Sequence, residues 1–283
     1  MKHSHTTPSR PPTTSPRPKA VWEFLVCLLL WLTTLPVAAQ VNTENIIRMG
    51  RNAIYFDDYL AAIRFFNQAI EAKPHQYKPY YYRAYAKFTL EDYPGAEEDC
   101  TRAIDLHPYI TEIYGLRGLC RIHNSNYQGA IDDYSRVLSD EPSDQGARYN
   151  RALCLLELKQ FDDADNDLTE ILKRSPRHYK AYMVKAQVCF EKKDTLEGLR
   201  WVDTLLTLNP NEASAWAFKG RYAAQKDNYA QADSFLTRAI KLQPELFENY
   251  LARAIARNFR RFHTNYHHIH PRMPLSHFRH NNI

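Results

Sequence analysis

Residues 111–144 read TEIYGLRGLCRIHNSNYQGAIDDYSRVLSDEPSD, and the chain on both sides repeats this pattern every 34 residues. The repeat is marked by a proline near the end of each unit, at Pro74, Pro108, Pro142, Pro176, Pro210 and Pro244. When this proline is numbered position 32, six units span residues 43–76, 77–110, 111–144, 145–178, 179–212 and 213–246. A fixed period of this length is typical of arrays in which each unit packs only against its neighbours.

Each unit carries the pattern of two amphipathic helices joined by a short polar turn. Positions 8 and 20 hold small residues, Gly118 and Ala130 in the third unit, which predict that the two helix backbones approach closely. Large side chains at positions 4, 17, 24 and 28 fill the space around this contact. The proline ends the second helix because it cannot donate the next helical hydrogen bond. The sequence therefore predicts an all-α stack of helix pairs, since no single unit buries its apolar face alone.

This combination of period, small-residue pairs, aromatic residue at position 17 and terminal proline resembles the tetratricopeptide repeat (TPR) family. The resemblance covers residues 43–246 and extends into a half unit that runs from Phe247 to about Asn258. It implies an α-solenoid of antiparallel helix pairs, wound into a right-handed superhelix with a concave groove for a partner. The residues that depart from the family pattern are Ile46, Cys100, Arg148, Thr195 and Gly198.

The resemblance places positions 2, 5, 9, 12 and 13 of the first helix in the groove, and at positions 5, 9 and 12 this chain is mostly apolar or aromatic across units two to five. The groove residues assigned in this way are Tyr81, Tyr85, Phe88, Leu119, Ile122, Tyr149, Leu153, Leu156, Met183, Gln187, Phe190 and Arg221. Relatives that clamp a terminal carboxylate use Lys, Arg and Asn there, and that combination is absent. An apolar strip favours a partner protein or peptide with an apolar segment. The alternative is that part of the strip is core between adjacent units.

A second pattern links position 7 to position 23. Units two to four carry arginine at position 7 and aspartate at position 23, and the acid disappears wherever the arginine does. The pairs are Arg83 with Asp99, Arg117 with Asp133 and Arg151 with Asp167. We predict an ion pair between the two helices of each of these units. The alternative is a row of cations that faces a ligand.

The N-terminal 39 residues have the pattern of an export signal. A Pro/Ser/Thr-rich leader with scattered positive charge precedes an uninterrupted apolar run, residues 24–32, and small residues lead up to Ala39. This predicts a secretory signal peptide cleaved after Ala39. The alternative is an uncleaved membrane anchor within residues 20–39, although the apolar run is about half of the ~20 residues that a spanning helix needs. Either interpretation places the rest of the chain outside the cytoplasm, in a periplasm or secreted.

Charge and motifs argue against nucleic-acid binding and catalysis. The 283-residue chain has a net charge of +5, but the excess lies at its two ends and the middle is mildly acidic. A nucleic-acid-binding domain carries a basic stripe on its folded part. The sequence contains no H-E-x-x-H, G-x-S-x-G, Walker or G-x-G-x-x-G motif. We therefore predict no catalytic residue, no cofactor and no nucleic-acid partner.

Four cysteines follow the predicted signal, at interior helical positions with wide spacing: Cys100, Cys120, Cys154 and Cys189. Cys120 and Cys154 share position 10 of neighbouring units, and stacked equivalent positions are generally too far apart for a disulfide. We expect buried free thiols.

The repeat pattern fails after Arg257, and the rest of the chain is rich in histidine. Residues 247–262 keep a helical spacing of apolar residues, which predicts a half-unit capping helix followed by a disordered tail over residues 263–283. His263 and His267 are spaced to share a helix face, as metal ligands could be, but no acid or thiol accompanies them. A third interpretation is a shift of reading frame near Arg257 in a repeat that once continued.

Three functions follow from these features. The first is a non-enzymatic, exported TPR scaffold that binds a protein or peptide in its groove. The second is a sensory or regulatory TPR module of a longer protein whose C-terminal part is missing. The third is a metal-dependent activity built on the tail histidines.

Overall fold

The computed structural model describes residues 42–269, with side chains as far as Phe262, and Trp22 alone of the preceding segment. The predicted signal or anchor and the chain after Ile269 lie outside the described residues. Within the described part there are thirteen α-helices and no strands. None of these helices is both long enough and apolar enough to span a bilayer.

The helices alternate between a first helix (A) and a second helix (B) of each unit. The A helices are α1 Thr43–Tyr55, α3 Tyr77–Thr89, α5 Thr111–His123, α7 Gln145–Glu157, α9 Tyr179–Glu191, α11 Ala213–Gln225 and α13 Phe247–Ile269. The B helices are α2 Tyr59–Ala72, α4 Tyr93–Leu106, α6 Tyr127–Asp140, α8 Phe161–Arg174, α10 Thr195–Leu208 and α12 Tyr229–Leu242. Every complete unit therefore uses positions 1–13 for helix A and positions 17–30 for helix B. The predicted all-α stack of helix pairs is confirmed.

The turn from helix A to helix B has the same backbone geometry in all six units. Position 15 adopts a positive φ of 58° to 65° although no unit has glycine there. In the first unit, the N–H of Asp58 donates to the carbonyl of Ala53 and the N–H of Asp57 to that of Ile54. This is the Schellman arrangement that satisfies the last carbonyls of a helix.

Position 16 then caps helix B. In five units an Asp or Asn side chain at position 16 accepts a hydrogen bond from the backbone N–H three residues later. These caps are Asp58, Asp92, Asn126, Asp194 and Asn228. The fourth unit has Gln160 at this position, and its side chain makes no capping hydrogen bond.

The core contact within a unit joins position 8 of helix A to position 24 of helix B. A Cβ atom built on Gly118 would lie 2.9 Å from Tyr134, and one built on Gly220 would lie 2.5 Å from Leu236. In these units the side chain at position 24 occupies the space that a Cβ atom at position 8 would need, so glycine permits the close approach. Where position 8 is alanine, as at Ala84, position 24 can be as small as Cys100, and both side chains are fully buried. Alanine also accepts a larger residue, because the fourth unit has Leu168 at position 24 with Ala152 at position 8, and both are fully buried.

Arg148, which replaces the aromatic residue usual at position 4, makes the same hydrogen bond as that residue makes in other units. In four other units the aromatic residue at position 4 donates to the carbonyl of the proline six residues earlier, as Tyr80 does to Pro74 at 3.2 Å. Arg148 replaces this ring and donates to the carbonyl of Pro142 at 2.8 Å.

Successive units stack with their A helices on the inside of the array. Four pairs of A helices contact each other, namely α1 with α3, α3 with α5, α7 with α9 and α11 with α13. Within the described residues no two B helices meet to the same extent. A stack whose A helices are closer together than its B helices curves towards the A side, so the A helices form the concave surface.

The last helix is longer than the sequence predicts. We expect a capping helix over residues 247–262 and a disordered tail from residue 263, whereas α13 continues to Ile269. No proline or glycine lies between Phe262 and Ile269, and the first helix breaker is Pro271. The predicted boundary at residue 262 is therefore corrected to Ile269.

Candidate partner-binding groove

Two cavities lie on the A-helix side of the described residues, one towards each end. At the N-terminal end, α1 and α3 enclose a cavity of about 250 Å³ lined by Arg51, Ile54, Tyr81, Tyr82 and Tyr85. Tyr85 is 43% exposed, and the guanidinium carbon of Arg51 lies 5.4 Å from the centre of the Tyr82 ring. Burial raises the pKa of Tyr81, so its hydroxyl stays protonated and can donate a hydrogen bond. The cavity offers aromatic faces together with the cation of Arg51.

At the C-terminal end, α9 and α11 form a second cavity of about 670 Å³. Its lining residues are aromatic or cationic with two uncharged polar groups, and none is acidic: Phe190, Lys193, Thr195, Phe218, Arg221, Tyr222, Gln225 and Lys226. The Phe190 ring lies 4.8 Å from Phe218 and 5.9 Å from Tyr222, centre to centre. This cavity suits an apolar or aromatic side chain that is accompanied by negative charge.

The middle of the predicted strip is shared with the core. Ile122, Tyr149 and Leu153 are half-buried and pack against the apolar cluster of units three to five. Met183 does the same one unit further on, in the next cluster. Leu119 is half-buried, and Gln187 is exposed.

Leu156 is 6% exposed and belongs to the buried cluster itself. The prediction that Leu156 lines the groove is therefore wrong, because its side chain lies in the core. Phe88 is half-buried between helices, with its ring 5.5 Å from Tyr93 and 5.7 Å from His123. The structure thus brings Tyr81 with Tyr85 into one cavity and Phe190 with Arg221 into another.

Several cavity residues lie at positions that the repeat pattern does not assign to the groove. Tyr82, Lys193, Phe218, Tyr222 and Lys226 line the two cavities but stand outside positions 5, 9 and 12. The available signal for the first cavity was the concentration of rings in residues 77–88, where six of twelve side chains are aromatic.

The position 7 arginines make the predicted ion pairs. The Nη2 atom of Arg117 lies 2.7 Å from Oδ1 of Asp133, and Arg151 contacts Asp167 at the same distance. Arg83 donates to Asp99 through Nε and Nη2. All three aspartates are buried. The geometry supports the structural interpretation of these arginines and not a row of cations facing a ligand.

The basic residues at position 7 also join successive units, a contact that the repeat pattern does not predict. Each position 7 side chain donates to position 25 of the preceding unit, and every one of these partners is polar. The six contacts are Arg83 to Asn67, Arg117 to Thr101, Arg151 to Ser135, Lys185 to Thr169, Lys219 to Asp203 and Arg253 to Thr237. We call the six donors, Arg83, Arg117, Arg151, Lys185, Lys219 and Arg253, the position 7 ladder.

Where position 23 is aromatic, the lysine at position 7 lies over that ring and pairs with an acid at another position, Lys185 with Asp165 and Lys219 with Asp203. The Nζ atom of Lys185 is 5.1 Å from the centre of the Trp201 ring, and that of Lys219 is 5.2 Å from Phe235. A cation above an aromatic face is an attractive arrangement. This explains the joint change of positions 7 and 23 in the sequence.

Asp133 pairs with two arginines of its own unit. It accepts hydrogen bonds from Arg117 and, through Oδ2, from Nη1 of Arg121 at 2.9 Å. Arg121 in turn pairs with Glu97 of the preceding unit. Burial raises the pKa of Asp133, while the two arginines oppose that shift.

The four described cysteines are free and buried, as expected. Cys100 and Cys120 lie in hydrogen-bonding contact across the boundary between units two and three, and burial together with this contact raises the pKa of Cys100. Burial raises the pKa of Cys154 to about 12. Among the described residues no three His, Cys, Asp or Glu side chains cluster as a metal site would require.

The observed geometry agrees with the family that the sequence matches. Models of the tetratricopeptide repeat match residues 47–109, 118–164, 155–213 and 213–246. The chain belongs to the tetratricopeptide repeat family. TPR proteins are in general non-enzymatic scaffolds for protein–protein interaction. A search of curated protein sequences finds no match to this TPR chain.

Solved TPR structures share the fold at low sequence identity. MamA from Desulfovibrio magneticus RS-1 is 15% identical, with a TM-score of 0.57 over 60% of this chain and 96% of that chain. A TPR protein from Parabacteroides merdae is 15% identical, with a TM-score of 0.56 over 84% and 96%. YrrB, described as a TPR protein with an unusual peptide-binding site, is 21% identical, with a TM-score of 0.51 over 67% and 97%.

Proposed function

We propose that this TPR protein is an exported scaffold that binds an apolar segment of a protein or peptide along its concave surface. The observation that carries the proposal is the N-terminal cavity, where Tyr85 remains 43% exposed beside Tyr81, Tyr82 and Ile54. Aromatic side chains supply large contact area at low cost in conformational entropy, and for this reason they dominate binding energy at protein interfaces.

The two cavities define the kind of segment that fits. An apolar or aromatic side chain would enter the tyrosine-lined cavity between α1 and α3. A second one, flanked by acidic groups, would enter the cavity of Phe218, Arg221 and Lys226. The peptide-binding relative YrrB adds support, because it shares the fold.

Export is supported by the sequence of residues 1–39. The basic leader, the short apolar run and the small residues before Gln40 fit a signal peptide. Expression of the full chain in a bacterium followed by fractionation and N-terminal sequencing tests this part. A mature chain that begins at Gln40 in the extracytoplasmic fraction supports export. Full-length chain confined to the cytosol contradicts it.

Binding is tested by selecting peptides from a random display library on the immobilised full chain and titrating the tightest peptide. Replacing Tyr85 by Ser removes a half-exposed ring and leaves the core intact. We expect affinity to fall roughly tenfold or more, as for other aromatic anchors. The matched control is Tyr109→Ser, because Tyr109 lies in the turn between units two and three and is more exposed than Tyr85. Equal loss with both variants, or with neither, contradicts a concave binding site.

A further inference from the structure

One face of the last A helix, α13, is exposed among the described residues, whereas helix B covers the equivalent face in every complete unit. Position 8 is buried in each of the six complete units, at Gly50, Ala84, Gly118, Ala152, Ala186 and Gly220. The equivalent residue of α13, Ala254, is exposed. The reason is that position 24 of helix B covers position 8 in each complete unit, and among the described residues no B helix follows α13.

The side chains around Ala254 are apolar and equally uncovered. Tyr250 is 36% exposed, whereas its equivalents Tyr80 and Tyr182 are 8% and 7% exposed. Leu251, Ile255 and Phe247 are more exposed still. Residues 247, 250, 251 and 254 follow the i, i+3, i+4, i+7 spacing of one helix face. We call this surface the α13 face.

The opposite side of α13 is fully engaged with the array. Asn249 and Ala256, at positions 3 and 10, are buried, as these positions are throughout most of the stack. The helix is therefore held in place by the array. The α13 face is the side on which helix B packs in the complete units. The face continues the series of six A–B interfaces described above.

The N-terminal end of the array provides the contrast. There positions 3 and 10 of α1 are Asn45 and Asn52, both exposed, where the third unit has the buried pair Ile113 and Cys120. A polar end needs no partner in water, whereas an exposed apolar face is typical of an interaction site.

The charge on α13 indicates the character of the partner. Between Phe247 and Phe262 there are four arginines and one acid, Glu248. Arg257 and Arg260 both approach the single carboxylate of Asp233, so the helix retains positive charge. A second copy would bring like charges together. Residues 270–283 carry Pro271 and Pro274 and no acid, so their sequence does not supply the complement.

We propose that the α13 face binds an acidic amphipathic helix of a partner protein, which takes the place of helix B with a large apolar residue over Ala254. The interaction is distinct from binding in the concave groove, because position 8 lies on the side of helix A that faces helix B.

A suitable probe is the chain's own acidic B helix, supplied as a peptide. Residues 161–174, FDDADNDLTEILKR, carry five acids and two bases and place Leu168 at position 24. The labelled, end-blocked peptide is titrated against the full chain by fluorescence anisotropy. We expect saturable binding that weakens roughly tenfold or more in Ala254→Glu, since this change adds bulk and repulsive charge at the centre of the face.

Three comparisons keep the test specific. Leu196→Glu places the same charge on exposed α10 and leaves binding unchanged. Tyr85→Ser and Arg221→Ser, one in each cavity of the concave surface, are also expected to leave it unchanged, which separates this site from the groove. A peptide of the same composition in scrambled order does not bind, because it lacks the apolar stripe.

The proposal is overturned if the peptide fails to bind, if Ala254→Glu binds as well as the parent chain, or if the scrambled peptide binds equally. It is also overturned if sedimentation shows a dimer that Ala254→Glu dissociates, because a second copy would then cover the face. Ala254 is exposed, so the variant is expected to keep the melting temperature of the parent chain.

Discussion

Arg117 of α5 donates two hydrogen bonds to the carboxylate of Asp133 in α6, from Nε at 3.0 Å and from Nη2 at 2.7 Å. Its Nη1 atom donates a third to Thr101 of the preceding unit at 3.3 Å. One side chain thus connects helix A of its unit with two B helices. Asp133 is only 2% exposed, so the positive charges of Arg117 and Arg121 compensate its negative charge. The array is joined at this point by a buried polar contact in addition to apolar packing.

We expect Asp133→Asn to destabilise the chain by about 3 kcal/mol, because breaking a buried ion pair leaves charge without compensation. Urea unfolding followed by circular dichroism measures the change in free energy. The matched control is Asp140→Asn, since Asp140 pairs with Arg136 on an exposed surface and such pairs contribute less than ~1 kcal/mol. A similar loss in both variants would contradict the buried role of Asp133.

We expect Gln160→Asn to stabilise the chain by about 1 kcal/mol. Gln160 occupies the capping position of α8 without making the capping hydrogen bond, whereas Asn126 and Asn228 cap the B helices of their units. A short amide at this position accepts a bond from an otherwise unpaired N–H in the first turn. The measurement is the urea midpoint. An unchanged midpoint would show that the α8 terminus is satisfied in another way.

We expect the buried hydroxyl of Tyr134 to make stability fall at alkaline pH. Burial raises the pKa of Tyr134 above its ordinary value of 10.0. The unfolded chain therefore loses this proton first as the pH rises above about 10, and folding becomes less favourable from that point. The free energy of unfolding of the parent chain, relative to Tyr134→Phe, should decline between pH 9 and about 11.5. A constant difference would contradict the raised pKa.

We expect the thiols of Cys100, Cys120, Cys154 and Cys189 to resist a thiol-specific reagent in the folded chain. All four are buried, and burial contributes to raising the pKa of Cys100, Cys154 and Cys189, which lowers the reactive thiolate fraction. Titration with Ellman's reagent should detect at most one fast thiol, that of Cys27, and all of them in denaturant. Fast reaction of two or more thiols in the native chain would contradict this burial.

The 34-residue period predicts the bounds of the six units and two helices in each of them. Pro142 and its equivalents mark the end of each unit, and the small residues at positions 8 and 20 mark the contact between its helices. The pairing of Arg117 with Asp133 was also predictable, because both residues change together along the array. These features are local or repeat at a fixed spacing, so a single sequence reveals them.

Other features depend on the stacking of neighbouring units. Leu156 resembles the groove residues of other units in sequence, yet its neighbours bury it. The left-handed turn at position 15 has no glycine to signal it, because the hydrogen bonds at the end of helix A impose the conformation on Asp57, Ser125 or Lys159 alike. The contact from position 7 to position 25 crosses a unit boundary, and its acceptors are chemically diverse.

The position 7 ladder also limits the insertions and deletions that the array can accept. Arg83 and Asp99 are 16 residues apart across the turn within a unit, and Asn67 and Arg83 are 16 residues apart across the turn between units. A residue inserted in either turn would shift one of these partners out of reach. Insertions or deletions of a few residues are therefore disfavoured at both turns, whereas duplication or loss of a whole unit keeps every spacing intact. Such an array evolves in steps of 34 residues.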